Sequence, residues 1–130
     1  MNVAVRYLSR SGNTKVLADK IAEVAGVQAV SIEAADAAIT EPVDVLFVGG
    51  ALYAYGIDKK LEDYLKSLNK ENVKKAVVFS TSWISKHSID LMKKALKEAG
   101  IPVEEEAFHA KNRPSDDKLK EAENFAKKFI

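Results

Sequence analysis

The stretch Val3-Ala4-Val5-Arg6-Tyr7-Leu8-Ser9-Arg10-Ser11-Gly12-Asn13-Thr14 decides how the rest of the chain is read. Its first half, from Val3 to Leu8, is an apolar run that reads as a buried strand. Its second half is a short loop of hydroxyl residues around one glycine. Asn13 to Ala25 then places Leu17, Ile21, Val24 and Ala25 on one helical face, with Gly26 as the C-terminal stop. A strand, a polar loop and a helix in direct succession are the opening of an alternating α/β domain.

The alternation continues to the end of the chain. Val27 to Ile32 reads as a second short strand, followed by a weakly patterned stretch from Glu33 to Thr40, either a stunted helix or a loop, closed by Pro42. Val43 to Val48 is the most hydrophobic run and ends at Gly49-Gly50. Such continuous apolar strands suit a parallel sheet covered on both faces. Asp58 to Leu68 is helical through Leu61, Tyr64, Leu65 and Leu68, and Ala76 to Phe79 is a fourth strand. Ser88 is expected to N-cap a helix carrying Ile89, Met92, Leu96 and Ala99 up to Gly100. Val103 to Phe108 reads as a fifth strand, and Glu104-Glu105-Glu106 marks it as an edge, because charge there deters pairing with another chain. Pro114-Ser115-Asp116-Asp117 opens a last helix whose inner face is Leu119, Ala122, Ala126 and Phe129. Right-handed crossovers make a doubly wound sheet the leading topology for five strands in this alternation. Ligands of such sheets bind beyond the carboxyl ends of the strands, here the loops after strands one, three and four.

Composition narrows the chemistry. A chain of 130 residues, 47% hydrophobic and 30% charged, is one ordinary domain with enough apolar material for a core. With no cysteine, there are no disulfides, thiolate metal sites or thiolate nucleophiles, which rules out the chemistry of low-molecular-weight tyrosine phosphatases. His87 and His109 form no metal-ligand pattern. The net charge of +1 points to neither nucleic acid nor membrane, and no apolar run approaches the roughly 18 to 20 residues of a bilayer span. The short, quickly polar N-terminus does not resemble a signal peptide, so the expected location is cytoplasmic.

The loop Ser9-Arg10-Ser11-Gly12-Asn13-Thr14 has what a phosphate requires: a helix N-terminus, a glycine that admits close backbone approach, and hydroxyl donors at Ser9, Ser11 and Thr14. The alternative is a well-capped turn with Asn13 or Ser11 as N-cap. Neither G-x-x-x-x-G-K-[ST] nor G-x-G-x-x-G occurs, which removes the fingerprints of nucleoside triphosphate and dinucleotide sites. The second loop, Gly49-Gly50-Ala51-Leu52-Tyr53-Ala54-Tyr55-Gly56, sets two tyrosines among small residues, as a flat ring would favour. One of the tyrosines is expected to pack under the loop as core. The third loop, Ser80-Thr81-Ser82-Trp83-Ile84-Ser85, carries the single tryptophan, which either covers a ligand or fills a gap between loop and helix.

Together these residues resemble the flavodoxin family. Its phosphate loop follows [ST]-x-[ST]-G-x-T after the first strand, matched at Ser9, Ser11, Gly12 and Thr14. The resemblance extends to the order of elements along the whole chain. It implies a three-layer sandwich with a five-stranded parallel sheet in the order 2-1-3-4-5 and helices on both faces. It also implies FMN as cofactor, with the phosphate in the first loop and the flavin ring between the second loop (Ala51, Leu52, Tyr53, Ala54, Tyr55, Gly56) and the third (Ser80, Thr81, Ser82, Trp83). Tyr55 is the expected ring neighbour, and Gly56 would turn its carbonyl or amide towards the flavin. The function so implied is electron transfer between redox partner proteins, a reductase and an acceptor, or to a small-molecule acceptor, by a monomer or weak dimer. The alternative is an NAD(P)H:quinone-type oxidoreductase or a flavodoxin-like dehydrogenase using the same cofactor. The Tyr-x-Tyr-Gly form of the second loop is similar to that of menaquinone-linked protoporphyrinogen dehydrogenases, but the chain has no long insertion after the fifth strand. A receiver domain would need clustered aspartates after the first strand, where Ser9-Arg10-Ser11 stands. One departure from the family is a rim that is expected to be basic, with Arg10, Lys59, Lys60, Lys86 and His87 against Asp58 alone. Such a rim would raise the potential of the reduced flavin by Coulomb attraction.

Overall fold

The computed structural model describes residues 1–51, 53, 56–82 and 86–130. Among the described residues the elements follow in the order β1 (Val3–Tyr7), α1 (Asn13–Ala25), β2 (Ala29–Ser31), β3 (Val45–Ala51), α2 (Lys59–Ser67), β4 (Ala76–Thr81), α3 (His87–Glu98), β5 (Phe108–Ala110) and α4 (Asp116–Lys127), with no helix between β2 and β3. The sheet order is β2-β1-β3-β4-β5, and every pairing is parallel. This is the expected doubly wound order. The chain reverses its direction of travel across the sheet between β1 and β3, and ligands of such sheets bind above the carboxyl ends of the strands at that point.

The period of two along the central strands divides the core into two layers. Leu46, Val48 and Val78 face α2 and α3, where Leu61, Leu65, Met92 and Leu96 close over them. Val5, Phe47, Val77 and Phe79 face α1 and α4 and meet Leu17, Ile21 and Phe125. Phe125 and Phe129 pack edge to face with centroids 5.1 Å apart, the arrangement that ring quadrupoles favour. Both faces of the central strands are dry, which explains their unbroken apolar sequence.

Several boundaries differ from the sequence reading. β3 does not stop at Gly49-Gly50 but runs on to Ala51, where it pairs with Thr81, and β4 extends likewise from Phe79 to Thr81. The glycines are there for packing. A Cβ on Gly49 would lie 2.3 Å from two ring carbons of Phe79 and 2.6 Å from its carbonyl oxygen, and one on Gly50 would lie 2.4 Å from Leu61 Cδ2. β2 shrinks to three residues at the sheet edge. The stretch after it is a turn-rich loop held at the Ala37 carbonyl by Arg6 Nε (2.8 Å) and Tyr64 Oη (2.6 Å).

The fifth strand is the largest correction. Val103 makes only an isolated bridge to Ala76, and the ladder resumes at Phe108 opposite Phe79. Between these pairings two residues of β4, 77 and 78, lie beside four of the edge segment, 104–107, and the surplus carries the glutamates outward. There Glu104 pairs with Lys75 and Glu106 with Lys128. Ser88 is not a cap either. α3 begins at His87 behind Lys86, and the Ser88 side chain turns inward to Ser80.

Candidate functional site

The loop after β1 enters α1 through Gly12, which is the N-cap residue, where the alternative of a well-capped turn would have Asn13 or Ser11. Its φ of +94° is a left-handed conformation that costs a β-carbon-bearing residue dearly, and a Cβ there would meet no atom within 4 Å. Glycine is therefore required by conformation and leaves open space above the turn. Ser9 Oγ accepts the Gly12 N–H at 3.0 Å and Ser11 Oγ accepts that of Asn13 at 3.4 Å, so both serines curl the backbone into a cup. The first intrahelical bond is Val16 N–H to the Gly12 carbonyl. No acceptor among the described residues engages the N–H groups of Thr14 and Lys15, the usual orphan donors of a helix start. Orphan N–H groups at the positive end of a helix, a glycine turn and two hydroxyls form a cradle for an anionic group.

Thr14 lies on the floor of this cradle, buried to 1% exposure, with its Oγ1 2.6 Å from Oγ1 of Thr81. In a hydroxyl pair one oxygen donates to the other, which leaves one proton of the pair for a further acceptor. Two more contacts fan out from the end of β4. Ser80 Oγ meets Ser88 Oγ at 2.6 Å under α3, and Ser82 Oγ shares a hydrogen bond with His109 Nε2 on β5 at 2.9 Å. Ser80 and Ser88 are both fully buried, so the Ser80 hydroxyl is turned into the fold. Burial and the charge of Lys86 hold His109 below the ordinary histidine value; the Ser82 contact opposes this and Lys118 adds to it.

The second loop is reached through Ala51, at the last rung of β3. Tyr53 and Gly56 exchange two backbone hydrogen bonds, 2.7 and 3.0 Å, and Gly56 has φ +113°. The Gly56 amide and carbonyl, expected to face a ligand, are both satisfied by Tyr53 here. Tyr53 is half-buried, and the Arg10 guanidinium lies 4.5 Å from its ring centroid. Leu52, Ala54, Tyr55 and Trp83 lie outside the described residues.

The basic rim is largely neutralised. Arg10 pairs with Asp58, Lys60 with Glu33 and Lys59 with Asp63. Asp58 is buried, which raises its pKa, but the Lys60 N–H on Oδ1, the Arg10 hydrogen bond and the Arg10 and Lys60 charges outweigh this and hold it below the usual carboxylate value. Among the described residues no group of three or more His, Asp or Glu is placed to hold a metal ion, and no helix is long and apolar enough to cross a membrane. The Thr14–Thr81 pair, the Arg10–Asp58 pair and the His109–Ser82 contact were not foreseen. Each joins residues 27 to 67 positions apart, and nothing local in the sequence signals them.

The chain is similar in fold to several solved structures. An archaeal flavodoxin superposes with a TM-score of 0.86 at 22% identity, covering 99% of this chain and 96% of the other. Flavodoxin 1 from Bacillus cereus gives 0.83 at 24% identity, covering 99% and 97%. The flavodiiron core of Synechocystis gives 0.78 at 24% identity, covering 99% of this chain but 35% of that one. No curated protein sequence matches significantly. The family model of the flavodoxin domain matches residues 4–112, which include the cradle, the second loop and the end of β4. The chain belongs to the flavodoxin domain family.

Proposed function

We propose that the protein binds FMN and serves as an electron carrier between redox partners. The observation that carries this reading is the cradle at residues 9–14: a left-handed glycine cap, orphan N–H groups at a helix start, and the Thr14–Thr81 hydroxyls on its floor. These suit a phosphate monoester. Ser9, Ser11, Gly12, Asn13 and Thr14, with only the backbone of Arg10 among them, would hold the phosphate. The flavin would lie towards the second and third loops, beyond Ala51 and Thr81, with Tyr53 on one side. The flavin supplies the redox chemistry when bound, and the chain supplies binding, orientation and electrostatics.

A carrier is favoured over a stand-alone NAD(P)H-dependent oxidoreductase. The rim cations that would receive an anionic nicotinamide cofactor, Arg10, Lys59 and Lys60, are each engaged by a carboxylate. The test is a titration of the purified protein with FMN, followed by flavin fluorescence and visible absorption. The expected result is quenched fluorescence and a shifted spectrum at one flavin per chain. Absence of binding at micromolar FMN refutes the reading. Turnover of NADPH with a quinone in the absence of any reductase would move the assignment to the oxidoreductase.

A further inference from the structure

Arg10 occupies the variable position of the phosphate-loop motif, yet its side chain leaves that loop. The guanidinium pairs with Oδ2 of Asp58 and lies 4.5 Å from the centroid of the Tyr53 ring. Asp58 divides its carboxylate, for Oδ1 accepts the Lys60 N–H at 2.8 Å and caps α2. Tyr53 is tied to Gly56, two residues before Asp58, by two backbone hydrogen bonds. One cation therefore holds both ends of the Tyr53–Asp58 segment while its own backbone lies between Ser9 and Ser11, whose hydroxyls shape the cup.

We propose that Arg10 is a positioning residue that couples the phosphate loop to the flavin-ring loop, so that an anion in the cradle favours seating of the ring. This rests on the FMN reading above. The argument is one of linkage. An anion that fixes the backbone of residues 9–12 fixes the root of the Arg10 side chain, and through it the Tyr53 ring and the start of α2. Coupling between two sites is reciprocal, and ordinary values begin at about fivefold in affinity. Because Asp58 already neutralises Arg10, its charge adds little to anion binding on its own. Arg10 acts on the linkage more than on the anion.

The test splits FMN into its two recognisable parts, riboflavin and inorganic phosphate. Riboflavin affinity of the full chain is measured by fluorescence quenching with and without saturating phosphate, and phosphate affinity alone by calorimetry. In the wild type, phosphate is expected to tighten riboflavin by about fivefold or more. In Arg10→Ala and in Asp58→Asn that factor is expected to fall to within about twofold of unity, with phosphate affinity alone little changed. Asparagine keeps an oxygen for the Lys60 N–H, so Asp58→Asn leaves the helix cap in place and guards against a variant that fails to fold. Arg10→Lys is expected to fall between, retaining the ion pair but losing the planar guanidinium over the ring. A wild-type factor near unity overturns the inference, as do variants that keep the wild-type factor. Loss of phosphate affinity in Arg10→Ala with the factor intact also overturns it, and makes Arg10 a direct phosphate ligand. If the wild type binds neither FMN nor riboflavin, the functional reading falls and this inference with it. If it binds FMN without the coupling, only the inference falls.

Discussion

Replacing Thr14 by valine should destabilise the FMN-free protein, and replacing Thr81 as well should restore most of what was lost. The two hydroxyls are 2.6 Å apart in residues only 1% and 3% exposed. Water therefore cannot take the place of a deleted partner. Valine preserves the shape of threonine, so the single change leaves one buried hydroxyl without its partner, at a cost of about 1–3 kcal/mol. With a urea m-value of about 2 kcal/mol/M for a small domain, a 2 kcal/mol loss moves the unfolding midpoint by about 1 M. Removing both hydroxyls exchanges a satisfied polar pair for an apolar contact, which is close to neutral. Urea unfolding of wild type, Thr14→Val, Thr81→Val and the double variant completes a double-mutant cycle, with an expected coupling of about 2–6 kcal/mol, the sum of the two single losses. FMN affinity should behave oppositely. The double variant, stable again, should bind about tenfold or more weakly, since a hydrogen bond to a charged group contributes about 1.5–3 kcal/mol. Strictly additive single effects would refute the pairing argument, and an unchanged FMN affinity in the double variant would refute the role of these hydroxyls in the cradle.

Gly49→Ala should cost about 3 kcal/mol or more, because its Cβ meets the carbonyl oxygen of Phe79 as well as the ring, and Gly50→Ala should cost less, because only the end of the Leu61 side chain must move; thermal unfolding of the two variants tests the order. The depressed pKa of His109 means that the unfolded chain takes up a proton more readily than the folded one. Its contribution is thus fully present above the ordinary value near 6.5 and is lost as pH falls from there towards the folded pKa. Urea midpoints at pH 7.5 and 5.5 should differ less in His109→Asn than in wild type. Asp58 has its pKa lowered as well, so its stabilisation is present above the ordinary carboxylate value near 3.8 and fades as pH drops below it. Acid unfolding of Asp58→Asn should begin from a lower stability at neutral pH and fall less steeply below pH 4.

Much of the fold was legible because its strongest signals are local. The buried parallel strands appear as unbroken apolar runs, and α1 occupies the residues its 3.6-residue period and Gly26 indicated, Asn13–Ala25. The glycine and hydroxyls at the entry to α1 were legible for the same reason, since they lie within six consecutive residues. What escaped depends on partners distant in sequence. Ser88 looked like a cap because serine commonly is one, but a buried Ser80 across the helix–strand interface claimed its hydroxyl. The fifth strand was placed too early because Val103 and Phe108 both have strand character, whereas the register with β4 admits only Phe108–Ala110 as a continuous ladder. The basic rim, counted against Asp58 alone, also meets Glu33 at Lys60 and Asp63 at Lys59.

The three consecutive hydroxyls at the end of β4 reach in three directions: Ser80 to α3, Thr81 to α1, Ser82 to β5. One strand end thus acts as a clasp for both helical layers and the sheet edge at the rim where a ligand would sit. Opening either helical layer there breaks a buried hydroxyl contact, and freeing the sheet edge breaks a part-buried one, so the amides around these residues should exchange slowly with solvent. The foundation of the rim then stays in register while a cofactor or a partner surface comes and goes above it.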